Sequence, residues 1–473
     1  MLNPTWHELV LIRVSVFLLT YAPFFYLLLP PSFSIPALLL ELAYYLLLLR
    51  PFEVRLSGPA AHPPHTRAER ERLFQRCIEN IPDPERYLSL WTLGADSTDI
   101  HHDNVREFLL WAFFDRQHDD PSDTALQQEL DSYMARTERL LDRPLAPGRG
   151  SAIPIRLTFD KVPTRFRSII WYIIVGGVDA VTQVRLLWCR FRFYGNSRLA
   201  SLVRVFPPRF LASFSPLSRS SPSSELTYWY RPATGTSTAN STLPVVFLHG
   251  IGIGLYPYVA FLSEIPTTSP VLAVEILPIS MRLTRMDILT KEAFVRHLKQ
   301  ILRQHAIHRF VLIGHSYGTA LTTRILHDSE LGPQVEGVVL VDPVTLLLHL
   351  PDVAYNFTRR MPTSANEWQL WYMASMDPGI ALVLGRHFFW RENGISKDEL
   401  VTNGQRKRKA AVCLASRDLI VDTVSVARYF CGDATTELGI ELLWFQMDHS
   451  QVFERCSDYR RILAVVRRFC ESS

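Results

Sequence analysis

The stretch that most restricts this chain is Gly314-His315-Ser316-Tyr317-Gly318, placed directly after the apolar run Phe310-Val311-Leu312-Ile313. The order reads strand, sharp turn, then helix (Ala320 to His327), with a serine at the tip. A G-x-S-x-G turn needs glycine on both sides. The serine's backbone is strained, and its neighbours must pass close to the adjoining strand and helix. This geometry lifts the Ser316 hydroxyl above a sheet and aims a helix N-terminus at it. The expected class is therefore α/β, with a doubly wound, mostly parallel sheet and a nucleophile at one strand end. A turn serine in a nucleotide-binding α/β protein is the competing reading. No G-x-x-x-x-G-K-[ST] or G-x-G-x-x-G follows a strand here.

A serine hydroxyl is a weak nucleophile at neutral pH, and it needs a base held in the right tautomer by a carboxylate. Downstream, Val412-Cys413-Leu414-Ala415 has a buried-strand pattern, and Ser416-Arg417-Asp418 puts a carboxylate just past its end. Leu442 to Gln446 then leads into Met447-Asp448-His449-Ser450, a second strand with a histidine at its C-terminal edge. Ser316, Asp418 and His449 are the candidate nucleophile, acid and base. Three other carboxylates compete for the acid: Asp342 after Val338-Val339-Leu340-Val341, and Asp422 and Asp448 nearby in sequence. Asp342-Pro343 reads more readily as a turn, and His315 is expected to pack beside the elbow.

The chain order Ser…Asp…His is that of the α/β-hydrolases, and the sequence resembles that superfamily from about residue 225 to 470. The resemblance implies an α/β-hydrolase fold. Val245-Val246-Phe247-Leu248 running into His249-Gly250-Ile251-Gly252 looks like the His-Gly loop of these enzymes. It implies an oxyanion hole made by the Tyr317 N–H and by the Ile251 N–H or a neighbour in the 250–252 turn. His249 is then structural in the loop.

At 473 residues the chain exceeds one such domain, so a second region is expected. A net charge of +4 is small for this size and gives no reason to invoke nucleic acid. Six cysteines show no paired spacing and read as reduced thiols. No metal-ligand spacing stands out, and His101-His102-Asp103 reads as a helix start. Neither a metal nor a cofactor is called for.

The N-terminus is apolar. Leu9 to Leu29 is broken only by Arg13 and a few hydroxyls, and spans about 30 Å as a helix. After Pro30-Pro31-Ser32, Phe33 to Leu49 is apolar apart from Glu41. Met1–Glu8 lacks the basic residues of a signal peptide. One or two membrane helices over residues 1–50 are expected, with Arg13 either paired to Glu41 or snorkelling. Arg50, Arg55, Arg67, Arg70, Arg72 and Arg76 follow, and positive charge favours the cytosolic side. The catalytic part is thus expected to face the cytosol from a membrane such as the endoplasmic reticulum or a lipid-droplet surface. The sequons at Asn240 and Asn356 are then expected to carry no glycan.

Residues 51–224 form a helical region without assignable chemistry, Leu73, Phe74, Cys77, Ile78 and Ile81 having helical spacing. Ile169 to Val178 is too short to span. With the arginines and aromatics that follow (Arg190, Phe191, Arg192, Phe193, Tyr194), it reads as an interfacial segment or a buried helix. Residues 215–224 read as a serine- and proline-rich linker. This upstream arrangement resembles that of a group of membrane-anchored fungal α/β-hydrolase proteins. Residues 225–473 make the hydrolase domain, with a cap at about 344–409 carrying Trp368, Trp371, Tyr372, Met373, Met376 and Phe388-Phe389-Trp390. Arg406-Lys407-Arg408-Lys409 closes the cap as a solvated loop. The expected activity is a serine esterase, lipase-like, acting on lipid or other apolar esters at a membrane. The same three residues would serve a thioesterase or acyltransferase, and a lipid- or partner-binding protein without turnover is the reading from another class.

Overall fold

The computed structural model describes residues 2–196, 203–209, 218–234, 242–403, 406–431 and 438–471. Asn240 and Ser241 of the first sequon, and residues 215–217 of the linker, lie outside the described residues.

Nine strands form one sheet: β1 (Arg192–Gly195), β2 (Arg219–Ser220), β3 (Thr227–Arg231), β4 (Val245–Leu248), β5 (Val271–Glu275), β6 (Phe310–His315), β7 (Val335–Val341), β8 (Lys409–Ala415) and β9 (Ile440–Phe445). Their spatial order is β9-β8-β7-β6-β4-β5-β3-β1-β2. β4 to β9 are mutually parallel, and β3 and β1 join antiparallel at the other side. The parallel strands are continuous apolar runs because helices cover both faces. Alternate residues of β6 divide between the two cores, Phe310 and Leu312 on one face, Val311 and Ile313 on the other. After β4 the chain turns to β5, and after β6 it turns the opposite way to β7. The crevice between the C-terminal ends of β4 and β6 is therefore the topological switch point, where α/β sheets bind ligands.

The sheet begins upstream of residue 225. Phe193 and Tyr194 of β1 are buried while Arg192 is exposed, so the run of arginines and aromatics is a sheet strand flanked by β3 and β2 and not a membrane-lying segment. Arg219–Ser220, read as linker, pairs in parallel with Tyr194–Gly195. The Arg406–Lys409 run is not all solvated. Arg408 is buried and donates to the carbonyls of Val335 (2.9 Å), Gly332 (2.8 Å) and Leu400 (3.1 Å).

The N-terminal apolar run does not make one straight helix. Helix Trp6–Thr20 meets the turn Ala22–Leu28 at 69°, with Pro23 at the break. Pro31–Ser57 continues as one 27-residue helix, and it and Ile169–Trp188 are long and apolar enough to cross a membrane. The helix Pro31–Ser57 also packs on the body of the protein. Tyr44, Leu49, Phe52 and Leu56 belong to the same core as the sheet. Glu41 accepts from the Ile169 N–H (3.0 Å), and Arg386 Nε donates to Leu56 O (3.0 Å). Arg13 and Glu41 are not paired, since Arg13 stacks over Trp368 at 5.6 Å. Ile169–Trp188 is longer than the sequence pattern indicated, with Trp171, Tyr172, Val175 and Leu186 buried on one side and Ile173, Val181, Val184 and Trp188 exposed on the other.

Four helices, Arg67–Glu79, Pro84–Trp91, His102–Phe114 and Thr124–Leu141, form a bundle around Phe74, Trp91, Phe108 and Tyr133. His102 and Asp103 open the third of these. The bundle's core also takes in Leu350 and Ala354, which lie between β7 and β8. That insertion is helical, with Pro351–Thr358, Ala365–Leu370 and Pro378–Arg386 as its main elements. The bundle grips it through Arg86 Nη1 to Asp352 Oδ2 (3.1 Å), Arg359 Nη2 to Asp160 Oδ2 (2.9 Å) and the Arg391–Asp115 pair.

Candidate active site

Ser316 caps the helix Tyr317–Leu326 with φ 51° and ψ −120°, a left-handed backbone that a non-glycine residue adopts only when its surroundings enforce it. The enforcement comes from close packing. A Cβ on Gly318 would stand 2.2 Å from Leu248 O, and one on Gly314 2.3 Å from Thr322 Oγ1. On Gly250 it would meet Ser316 Cβ at 2.8 Å. The Ser316 N–H donates to Val341 O (2.9 Å), which ties the turn to the end of β7.

The three side chains nominated from sequence stand in one hydrogen-bonded line. Ser316 Oγ is 2.9 Å from His449 Nε2, and His449 Nδ1 is 2.7 Å from Asp418 Oδ2. Asp418 Oδ1 accepts from the Ile420 N–H (2.8 Å) and Val421 N–H (3.0 Å), so its carboxylate cannot rotate freely. All three groups are shielded from water. Burial works against an imidazolium at His449, but the Asp418 charge and hydrogen bond, aided by Asp342 and Asp448, raise its pKa to about 9.

Each rival carboxylate has a different partner. Asp342, at a left-handed φ of 43°, accepts from the Ser450 N–H (2.7 Å) through Oδ2, which also lies 3.5 Å from His315 Nε2. Burial alone would raise its pKa; hydrogen bonding to His315 and the neighbouring imidazoles carry it below the usual value. Asp448 accepts from the Leu419 N–H (3.1 Å), its neighbour His449 N–H (2.7 Å) and Asn366 Nδ2 (2.8 Å). Asp422 accepts from the Ser425 N–H (3.1 Å) and so caps the helix Thr423–Phe430.

The His-Gly turn follows β4 and faces Ser316. His249 bridges it, with Nδ1–H donating to Gly250 O (2.8 Å) and Nε2 accepting from the Ile276 N–H (2.9 Å). Burial lowers its pKa to about 4, so it stays neutral and structural. The Gly252 N–H donates to Ile279 O (3.2 Å). The Ile251 and Tyr317 amides donate no hydrogen bond among the described residues. Tyr258, for which the sequence offered no signal, links this turn to the elbow: its hydroxyl accepts from the Gly250 N–H (3.3 Å) and lies 2.8 Å from His315 Nδ1.

Beside Ser316 lies a largely apolar cavity of about 80 Å³. Ile251, Ser316 and Tyr317 line it, together with Phe357, Leu384, Phe388 and Trp390 of the insertion. Trp368 and Trp371, nominated as cap aromatics, face Arg13 and Arg165 instead. A further part of the wall is supplied by the upstream bundle and the segments flanking it, through His62, Trp91, Trp111 and Leu157. Sequence reasoning missed this wall because tryptophans in amphipathic helices read as core. Among the described residues no group of three or more histidine, cysteine, aspartate or glutamate side chains is arranged to hold a metal ion.

A strained serine between strand and helix at the switch point of a mostly parallel sheet, with a histidine and an aspartate past later strand ends, is the arrangement of an α/β-hydrolase fold. Residues 245–453 match the model of the alpha/beta hydrolase family. No curated protein sequence matches the chain. Among solved structures the fold is similar to a carboxylesterase of Nitrososphaera gargenis, at 15% identity over 51% of this chain and 96% of that one, with a TM-score of 0.35. It is also similar to the meta-cleavage product hydrolase of Pseudomonas fluorescens, at 17% identity over 52% and 94%, with a TM-score of 0.36. The haloalkane dehalogenase DatA of Agrobacterium tumefaciens is 15% identical over 52% and 93%, also at 0.36.

Proposed function

We propose that this chain is a membrane-seated serine hydrolase that cleaves carboxylic esters of apolar acids through an acyl-enzyme. The observation that carries the reading is the unbroken line Ser316 Oγ, His449 Nε2, His449 Nδ1, Asp418 Oδ2, at 2.9 and 2.7 Å. His449 takes the Ser316 proton as the oxygen attacks the ester carbonyl carbon. The Ile251 and Tyr317 amides hold the oxyanion. The C–O bond to the alcohol breaks, and the alcohol leaves with the proton from His449. Water, deprotonated by the same imidazole, then releases the acid and restores Ser316.

The apolar cavity supports an apolar acyl group. The membrane seat is supported by the exposed apolar residues of the first three helical segments and of Ile169–Trp188. Arginines after residue 49 favour a catalytic part on the cytosolic side. A fluorophosphonate probe tests the chemistry. Full-length protein is expected to be labelled, Ser316→Ala to lose the label, and Ser450→Ala to keep it. Equal labelling of Ser316→Ala and the parent overturns the reading.

A further inference from the structure

The cavity beside Ser316 has two features that bear on substrate. Ile251, Ser316 and Tyr317 line it, whereas His449 does not. The leaving alcohol takes its proton from His449 Nε2 and so departs on the His449 side. The cavity, which touches Ser316, Ile251 and Tyr317 but not His449, is therefore assigned to the acyl group. Two tryptophans of the upstream helices, Trp91 and Trp111, also line it, both buried, with ring centroids 5.5 Å apart.

Neither ring is free to swing. Trp91 Nε1–H donates to His349 O (3.2 Å), and Trp111 Nε1–H donates to Thr158 Oγ1 (2.9 Å). Thr158 is held in turn by His62 Nε2 (2.9 Å), and His62 stacks obliquely on Phe389 at 5.2 Å. The polar atoms at this end satisfy one another, so the floor offers an acyl group apolar contact and no open hydrogen-bonding site. A volume of about 80 Å³ is roughly half that of an apolar cavity of about 150 Å³ known to admit benzene. Half the room of a site that holds six ring carbons corresponds to about three carbon atoms.

We infer that Trp91 and Trp111 act as a floor that sets acyl length, and that the acids released are short, of about two to five carbons, and not long-chain fatty acids. This rests on the hydrolase reading above and narrows it. It also gives the upstream bundle a role: its own residues close the pocket, so the bundle and the catalytic domain form one site.

The test is a chain-length profile of full-length protein in detergent on p-nitrophenyl acetate, butyrate and octanoate, with fluorophosphonate labelling in parallel. Wild type is expected to have kcat/KM for butyrate at least tenfold above that for octanoate. Trp91→Leu and Trp111→Leu are each expected to raise the octanoate-to-butyrate ratio at least tenfold by deepening the pocket. Ala354→Leu, which fills the cavity from the insertion side, is expected to lower butyrate relative to acetate at least tenfold. The inference is overturned if octanoate is cleaved as well as butyrate by wild type. It is equally overturned if the folded variants, checked by circular dichroism, all keep the wild-type profile, or if Ser316 is labelled while none of these esters is cleaved. Absence of both labelling and turnover in folded wild type overturns the hydrolase reading itself.

Discussion

His449 lies between a hydroxyl and a carboxylate, and in the proposed mechanism its protonation decides whether Ser316 can be activated. With its pKa raised to about 9 by Asp418 against the cost of burial, the neutral base becomes abundant only as pH approaches that value. kcat/KM is therefore expected to climb from pH 7 to about 9, and a plateau already reached at pH 7 would contradict it. The sign for stability is opposite. A folded pKa above the unfolded one stabilises below about 6.5, and that contribution is lost as pH rises through about 9. Asp418→Asn is expected to keep the fold and cut kcat by about 10⁴-fold, the scale of a mis-set imidazole tautomer. Asp342→Asn is expected to cost far less, because Asp342 holds Ser450 and His315 while Asp418 bonds His449 directly. A severe Asp342→Asn and a mild Asp418→Asn would move the acid to Asp342.

The elbow's strain is maintained by the packing of whole elements. Gly318 lets the helix Tyr317–Leu326 approach β4 until a Cβ would sit 2.2 Å from Leu248 O, an atom that cannot move without disturbing the ladder. Gly318→Ala is expected to cost about 1–3 kcal/mol or more, as overpacking does. It should also lower fluorophosphonate reactivity, because relief of the clash moves Ser316. Calorimetry and labelling rates check both, and an unchanged Tm would show that the helix has room to withdraw. The pattern G-x-S-x-G makes this requirement readable in the sequence. Tyr258 is different: it reaches Gly250 and His315 only because the helix Val259–Glu264 packs under β4, and no local pattern reports that.

On the scale of the molecule, the apolar N-terminus is part of the folded body. Tyr44, Leu49, Phe52 and Leu56 lie in the main core, and at about 1.5–3 kcal/mol for each large apolar side chain they account for about 6–12 kcal/mol as an upper estimate. That is comparable to the whole stability of a typical domain. Deleting residues 1–57 is therefore expected to give aggregated protein, not a soluble enzyme. The informative variant keeps the helices and changes their exposed side: Phe24→Glu, Leu28→Glu and Phe33→Glu combined, at residues 67%, 81% and 66% exposed. It is expected to move from the alkaline-carbonate pellet to the supernatant with labelling retained. Continued pelleting of active variant would pass the membrane contact to Ile169–Trp188.

Short-range constraints were legible in the sequence. The elbow glycines, the apolar parallel strands and the positions of Ser316, Asp418 and His449 past strand ends each follow from what a few adjacent residues can do. The upstream helical spacing of Phe74 and Cys77 was legible for the same reason. Contacts between distant segments were decided only by the tertiary structure. Four carboxylates compete on paper with Asp418 ahead, and only the folded loops bring Asp418 within 2.7 Å of the imidazole while giving Asp342, Asp422 and Asp448 backbone amides to hold. Phe191 to Tyr194 resembled a membrane segment until β3 paired with it. Trp91 and Trp111 are more than 200 residues from Ser316 in sequence, and packing of the bundle against the insertion is what makes them line the same cavity. Periodicity records which face of an element is apolar, but the identity of the surface that covers that face is set by the rest of the chain.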